Sequence, residues 1–167
     1  YFFPPVQQSV NTNVDRARYE TWTTVFGKAT ARAFDAKGWT YYIRDQYDLF
    51  NACYLDSHTS LMGAIGMTNE TDGGRVVLQR REDDTLLSLE DGMNKHLISA
   101  LAVITAAGEH KDQLLDSYQQ YKLSAVTGKH AGKLQHVVIT SRDRQALWNL
   151  RLQLERSGVV SKINEKG

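Results

Sequence analysis

Apolar residues recur at helical spacing in the first third of the chain. Asn13 is the predicted N-cap of a first helix, and Gly38 is its predicted end. The residues expected on the apolar face of this helix are Trp22, Val25, Phe26, Ala29 and Ala33. Residues 39–43 have strand composition. A second helix is predicted over 44–63, because its large apolar residues lie three or four apart on one face.

The middle of the chain predicts a β-hairpin followed by two helices. The β-rich runs 75–80 and 85–89 flank a short acidic turn, which is the pattern of two antiparallel strands. A third helix is predicted over 91–107 and a fourth over 111–125, and residues 127–133 are predicted to form a basic loop. The third helix has one apolar stripe, which we expect to face the core: Met93, Leu97, Ala100, Leu101 and Ile104.

The C-terminal segment has the pattern of a βαβ unit. Strands are predicted over 134–140 and 159–164, and a helix over 142–157 lies between them. Thr140 and Asp143 fit a capping box at the start of that helix. Two strands joined in this way are expected to be parallel, with a right-handed crossover. The apolar stripe of the helix consists of Leu147, Leu150 and Leu154.

This order of elements favours an α+β fold. We predict a single domain over residues 13–167, in which helices cover a small mixed β-sheet that includes the C-terminal βαβ unit. Residues 1–12 are predicted to be an N-terminal arm. Its first six residues are apolar and contain two prolines, which stop a helix. They fit either the remnant of a membrane anchor ahead of Tyr1 or an arm that packs on a partner or on its own domain.

Composition narrows the class of protein. Of the 167 residues, 41% are hydrophobic and 23% are charged. These values are typical of an ordinary globular domain. They exclude a disordered chain, a collagen, a coiled-coil rod and an integral membrane protein. The single cysteine, Cys53, excludes an internal disulfide and a cysteine-rich zinc site.

The net charge of +1 conceals an asymmetry along the chain. Residues 1–70 carry a net charge of −1, residues 71–118 of −4 and residues 119–167 of +6. One interpretation is that the acidic middle and the basic end neutralise each other within the fold. The other is that the basic end forms a surface for an anionic partner.

No motif in the sequence predicts catalysis, a cofactor or a metal. Cys53 and His58 are five residues apart on a predicted helix, so they point about 140° apart and do not pair as nucleophile and base. The histidines lack the spacing of a zinc motif. Nucleotide-binding glycine loops and hydrolase motifs are also missing from the sequence.

The predicted C-terminal helix carries the candidate partner-binding residues. Arg144, Trp148 and Arg151 lie together on it, with Arg142 and Arg156 near its ends. Arginine and tryptophan often anchor protein interfaces. The same residue types also bind phosphates and stack on bases. A third interpretation leaves the arginines solvated and folds Trp148 into the core.

We therefore predict a non-enzymatic protein-interaction domain, the soluble part of a membrane-tethered assembly. The alternatives are a nucleic-acid-binding domain that uses the basic face, and an enzyme whose site is not visible as a motif. A protein partner is expected first, with nucleic acid and a second copy of the chain as alternatives. A tether ahead of Tyr1 would place the domain at a membrane.

Overall fold

A computed structural model describes residues 1–5, 10–44, 49–71, 76–127 and 136–163. The fold class is α+β, as the sequence predicts, and the described residues contain five helices and one two-stranded antiparallel sheet. In chain order the elements are α1 (Arg16–Asp35), α2 (Leu55–Leu61), β1 (Leu78–Arg80), β2 (Leu86–Ser88), α3 (Leu89–Glu109), α4 (Lys111–Val126) and α5 (Arg144–Arg156).

The chain divides into two compact units, Tyr1–Lys129 and His130–Gly167. The first unit contains α1 to α4 and the sheet, and the second contains α5. The division falls within residues 127–133, the stretch that the sequence predicts to be a basic loop.

Helix α1 supplies much of the core of the first unit. It begins after Asp15, whose carboxylate accepts a hydrogen bond from the Arg18 backbone N–H at 3.1 Å. The predicted N-cap, Asn13, is therefore wrong by two residues, because Asp caps a helix as well as Asn does. Trp22 and Phe26 are buried on the inner face of α1, as predicted, and their rings lie 6.0 Å apart.

The first residues of the chain are core residues of this unit. Phe2 and Phe3 are only 0% and 2% exposed. The Phe2 backbone N–H donates to the Glu70 carbonyl at 2.8 Å, and the Tyr42 N–H donates to the carbonyl of Tyr1 at 3.0 Å. Packing within the unit thus explains why this stretch is apolar, so its apolar character does not support a membrane tether.

Gly27 allows the N-terminal segment to cross α1 closely. A methyl group added to Gly27 would overlap the Pro4 carbonyl oxygen, so a larger residue requires the backbone to move. Thr23 and Thr30, which flank this glycine on α1, are buried, and their hydroxyls donate to α1 carbonyls one turn earlier. Small side chains on this face of α1 therefore make room for the arm.

The segment after α1 differs from the prediction. Residues 39–43 form no strand, and only Tyr42 makes an isolated bridge, to Phe2. The predicted helix over 44–63 is reduced to the seven residues of α2, and residues 45–48 of it lie outside the described part. Asn51 accounts for part of the difference, because its side chain accepts from the Cys53 N–H at 3.0 Å and stabilises a turn.

The predicted hairpin and the third and fourth helices are confirmed. Strands β1 and β2 pair antiparallel, with Leu78 opposite Ser88. Ser88 and Asp91 form a capping box at the start of α3, with both hydrogen bonds at 3.0 Å. The Ser88 hydroxyl also donates to Asp91 Oδ2 at 2.6 Å, and this bond, together with the one from the Ser88 backbone N–H, holds the pKa of the Asp91 carboxyl below its usual range. Helix α3 therefore begins two residues earlier than predicted.

The predicted C-terminal βαβ unit and the mixed, covered sheet are not confirmed. Helix α5 lies within the predicted helix, but residues 136–140 and 159–163 are not in strands. Residues 134, 135 and 164 of the two predicted strands lie outside the described part. A strand needs a neighbour for its backbone hydrogen bonds, and these stretches pair with no other described strand.

Helix α5 also differs from the prediction in its cap and its burial. Asp143 is itself the N-cap, and its carboxylate accepts from the N–H groups of Gln145 and Ala146. The predicted capping box with Thr140 is therefore wrong. No residue of α5 is fully buried. The predicted apolar stripe of Leu147, Leu150 and Leu154 is only half-buried in this small unit.

Candidate interaction surfaces

The predicted partner-binding residues fall into two groups on α5. Arg144, Trp148 and Arg151 lie on one face, because they are spaced four and three residues apart. Trp148 is 50% exposed, so the interpretation that folds it into the core is wrong. Arg142 precedes the helix, and Arg156, its last residue, is rotated by about 120° from Arg144. The structure thus brings three of the five residues together.

Arg151 already has two partners within α5. Its guanidinium lies 5.6 Å from the centre of the Trp148 ring, and its Nε donates to Glu155 Oε1 at 2.7 Å. Glu155 lies on the same face as Arg144 and Trp148, since it is one turn beyond Arg151. The face therefore carries a carboxylate among its arginines and is less basic than the sequence suggested.

Helix α3 exposes the apolar stripe that the sequence assigned to the core. The exposed fractions of Met93, Leu97, Leu101 and Ile104 lie between 50% and 67%, and Ala100 is exposed beside them. The prediction that this stripe faces the core is wrong. We call these five residues the α3 stripe.

Helix α3 packs on α1 through its opposite face, where most of the buried residues are small and Lys95 is the exception. Gly92, Ser99 and Ala106 are buried there, and Ala106 belongs to the core cluster that contains Trp22 and Phe26. Large aromatic rings on one helix pack best against small residues on the other, because the two surfaces then interdigitate. This complementarity selects the small-residue face and leaves the α3 stripe uncovered by α1.

The stripe lies mostly in the part of α3 that lacks charged residues. Residues 96–108 contain no Lys, Arg, Asp or Glu. A helix that is apolar on all sides is normally buried on all sides. Within the described residues of the first unit, α3 is covered on one side and exposes its large apolar side chains on the other.

A groove of about 1030 Å³ runs along the flank of α3, next to the stripe. One wall is α3, including Ala100 and Ile104 of the stripe, and the other includes residues 54–56 and 64–70. Tyr1 also lines the groove, and its hydroxyl lies 2.7 Å from Nδ1 of His96 on α3. Burial raises the pKa of Tyr1. The groove therefore continues the apolar surface of the stripe and adds a few polar groups to it.

Several polar side chains in and beside the groove hydrogen-bond within its wall. One carboxylate oxygen of Asp56 accepts from the Ser57 N–H at 2.8 Å, and the other accepts from the Thr68 hydroxyl. Ser60 Oγ accepts from the Gly66 N–H at 3.0 Å. These bonds fix the loop against α2.

Other candidate chemistry is dispersed. Cys53 is exposed in the turn before α2, and His58 lies on α2 itself, so the two do not share a helix as predicted. Across the described ranges, no three His, Cys, Asp or Glu side chains are close enough to hold a metal ion. A search of the same residues for a helix with the length and hydropathy of a membrane span finds none.

Comparison with known proteins identifies no relative. Neither a protein-family model, nor a curated protein, nor a solved structure matches the chain. The functional assignment of these surfaces therefore depends on their geometry and chemistry alone.

The stripe and the groove were both missed as candidate sites by sequence reasoning. The sequence does indicate that an apolar face of this helix could be exposed. Residues 96–108 contain no Lys, Arg, Asp or Glu, so more than one face is apolar enough to be buried, and only one of them packs on α1. Nothing in the sequence predicts the groove. It forms because Tyr1 and residues 64–70 come next to α3 through contacts that are distant along the chain.

Proposed function

We propose that the chain is a non-enzymatic protein-interaction domain and that the α3 stripe is its main binding surface. The observation that carries this proposal is the exposure of four large apolar side chains along one face of α3, opposite the face that packs on α1. Continuous apolar surface of this kind, rimmed by polar residues, is typical of interaction sites.

Covering the stripe is favourable enough to support binding. Full burial of a Leu, Ile or Met side chain contributes about 1.5–3 kcal/mol, so the exposed half of each contributes roughly 1 kcal/mol. Four such side chains give about 4 kcal/mol before the cost of association. The groove beside Ala100 and Ile104 offers further apolar area to the same partner.

The face of α5 that carries Arg144, Trp148 and Arg151 supports a second, smaller contact with a protein partner. Trp148 is half-exposed and is held in position by Arg151, which suits an interface anchor. The second proposal is nucleic-acid binding through the same face, Arg144, Trp148 and Arg151, with Arg142 and Arg156 near the ends of the helix. Glu155 weakens it, because its carboxylate would repel a phosphate on that face. Steep loss of binding with added salt would distinguish it.

Photo-crosslinking tests the proposal. A photoreactive phenylalanine analogue in place of Leu101 is expected to form a discrete protein adduct in the native cells, because its ring replaces a half-exposed side chain of the stripe. A second substitution in the same stripe, Leu97→Glu, is expected to abolish this adduct. Mass spectrometry identifies the captured protein, and its binding to the purified chain is then measured directly.

The matched control is the same analogue at Gln119, an exposed polar position on α4. It is expected to give no discrete adduct. Equal labelling at the two positions, or an adduct at Leu101 that survives Leu97→Glu, would mean that the stripe does not bind a protein.

A further inference from the structure

We propose that the partner of the α3 stripe is the α3 stripe of a second copy of this chain, packed antiparallel to the first. This inference rests on the proposed protein-interaction function and names the partner. It follows from the spacing of the stripe, from the charges around it and from the extent of the apolar surface.

The spacing of the stripe suits a partner helix of the same kind. Met93, Leu97, Ala100 and Ile104 are separated by four, three and four residues, which is the spacing of a helix–helix seam. The intervals between these four residues are the same when they are counted from either end of the helix. In an antiparallel pair Met93 of one copy lies opposite Ile104 of the other, and Leu97 lies opposite Ala100, so large residues meet smaller ones at the middle.

The charges around the stripe permit self-association. Residues 96–108 contain no Lys, Arg, Asp or Glu, so two copies face each other there without repulsion between such charges. A partner selected by opposite charge would find no charged residue along this part of the helix. Among partners with an uncharged surface, we infer a second copy of this chain, because the spacing of its stripe is complementary to that of the first copy.

The charges at the ends of α3 favour the antiparallel orientation. The start of the helix carries Glu90 and Asp91, and its end leads through Glu109 to Lys111 and Asp112. A parallel pair would place four carboxylates together. An antiparallel pair places the two carboxylates at the start of one helix beside the mixed charges at the end of the other. The dipoles of the two helices then point in opposite directions and attract each other.

The apolar surface is long enough for a dimer interface. Helix α3 has 21 residues. At the usual rise per residue it extends for about 30 Å. At its first turn the Leu89 N–H donates to the Val77 carbonyl at 2.9 Å, and both side chains are exposed, so the hairpin extends the surface. A stable interface covers about 800 Å² on each partner. The hairpin and the groove border the stripe and add their apolar surface to an interface that forms there.

Disulfide trapping tests the pairing and its orientation. The exposed Cys53 is first changed to Ser so that it forms no disulfide of its own. Met93→Cys and Ile104→Cys chains are then oxidised with glutathione disulfide, separately and as a mixture. The antiparallel pair brings residue 93 of one copy next to residue 104 of the other, within the short reach of a disulfide. A covalent dimer is therefore expected in the mixture and not in either chain alone.

The control mixture combines Met93→Cys with Gln119→Cys, an exposed position on α4. It is expected to remain monomeric. Dimers in each single-variant sample would mean that the helices pair in parallel, and dimers in the control would mean random collision. Either result overturns the antiparallel pairing.

The result also separates this inference from the proposed function. No covalent dimer in the mixture, together with a captured protein at Leu101, would mean that the stripe binds a different protein. No dimer and no captured protein would mean that both proposals are wrong.

Discussion

Replacing Gly27 by alanine is expected to destabilise the first unit by about 3 kcal/mol, the upper part of the usual range for overpacking a core. The added methyl group would overlap the carbonyl oxygen of Pro4, which belongs to the backbone and has no side-chain freedom to move away. The N-terminal segment would have to lift from α1, and Phe2 and Phe3 would lose their buried positions. Urea-induced unfolding followed by circular dichroism measures the change.

Gly108 provides the matched control. It is also a helical glycine, near the end of α3, and apart from the adjoining backbone of its own helix no heavy atom lies within 4 Å of the position that a methyl group would occupy. Alanine there is expected to stabilise the protein by up to about 1 kcal/mol, because alanine is the better helix former. The two substitutions thus have opposite expected signs. Equal effects would mean that the N-terminal segment does not pack on α1 at Gly27.

Replacing Trp22 by alanine is expected to cost about 3–5 kcal/mol, the usual loss for a buried aromatic residue. The ring is 6% exposed and packs with Phe26 and Ala106 between α1 and α3. Its Nε1 also donates to Ser117 Oγ on α4 at 2.9 Å, so the substitution removes a link between helices. The free energy of unfolding, measured in dilute solution, gives the effect.

The comparison variant is Leu101→Ala on the α3 stripe. Its expected cost in dilute solution is below about 1 kcal/mol, because substitutions at exposed positions have small effects. The sequence-based assignment of the stripe to the core would instead give a loss of about 2–5 kcal/mol. A loss in that range would show that α3 faces α1 through the stripe.

Local patterns in the sequence predicted the helices and strands whose structure is determined by residues close together in the chain. The hairpin follows from two β-rich runs around an acidic turn, and strands 78–80 and 86–88 lie within the predicted runs. The helical nature of 16–35, 89–109 and 111–126 follows from periodicity and the absence of proline. These elements are confirmed to within a few residues at each end.

The orientation of α3 was not predictable from periodicity alone. Amphipathicity identifies the core face only when the other face is polar, and residues 96–108 carry no charge on either face. The decision depends on α1, where Trp22 and Phe26 require a partner surface of small residues. That requirement is a property of two helices together, which a single-helix pattern does not contain.

The C-terminal segment shows that β-propensity alone does not predict a strand. Val137, Val138 and Ile139 have strong β-propensity, but they are exposed and in no strand. Propensity yields a strand only where a second strand is available to pair with it. On α5 the sequence correctly grouped Arg144 with Trp148. It also contained the pairing of Arg151 with Glu155, four residues later, which sequence reasoning overlooked.

The central claim is that the α3 stripe is exposed in a single chain and covered by a second copy. The direct measurement is the rate of thiol labelling of Leu101→Cys in a Cys53→Ser chain, over a range of protein concentrations, beside Ala106→Cys on the buried face. We expect fast labelling at position 101 in dilute protein, progressive protection as the concentration rises, and slow labelling at position 106 throughout. Slow labelling of position 101 in dilute protein would place the stripe in the core, and fast labelling at every concentration would mean that no second copy covers it.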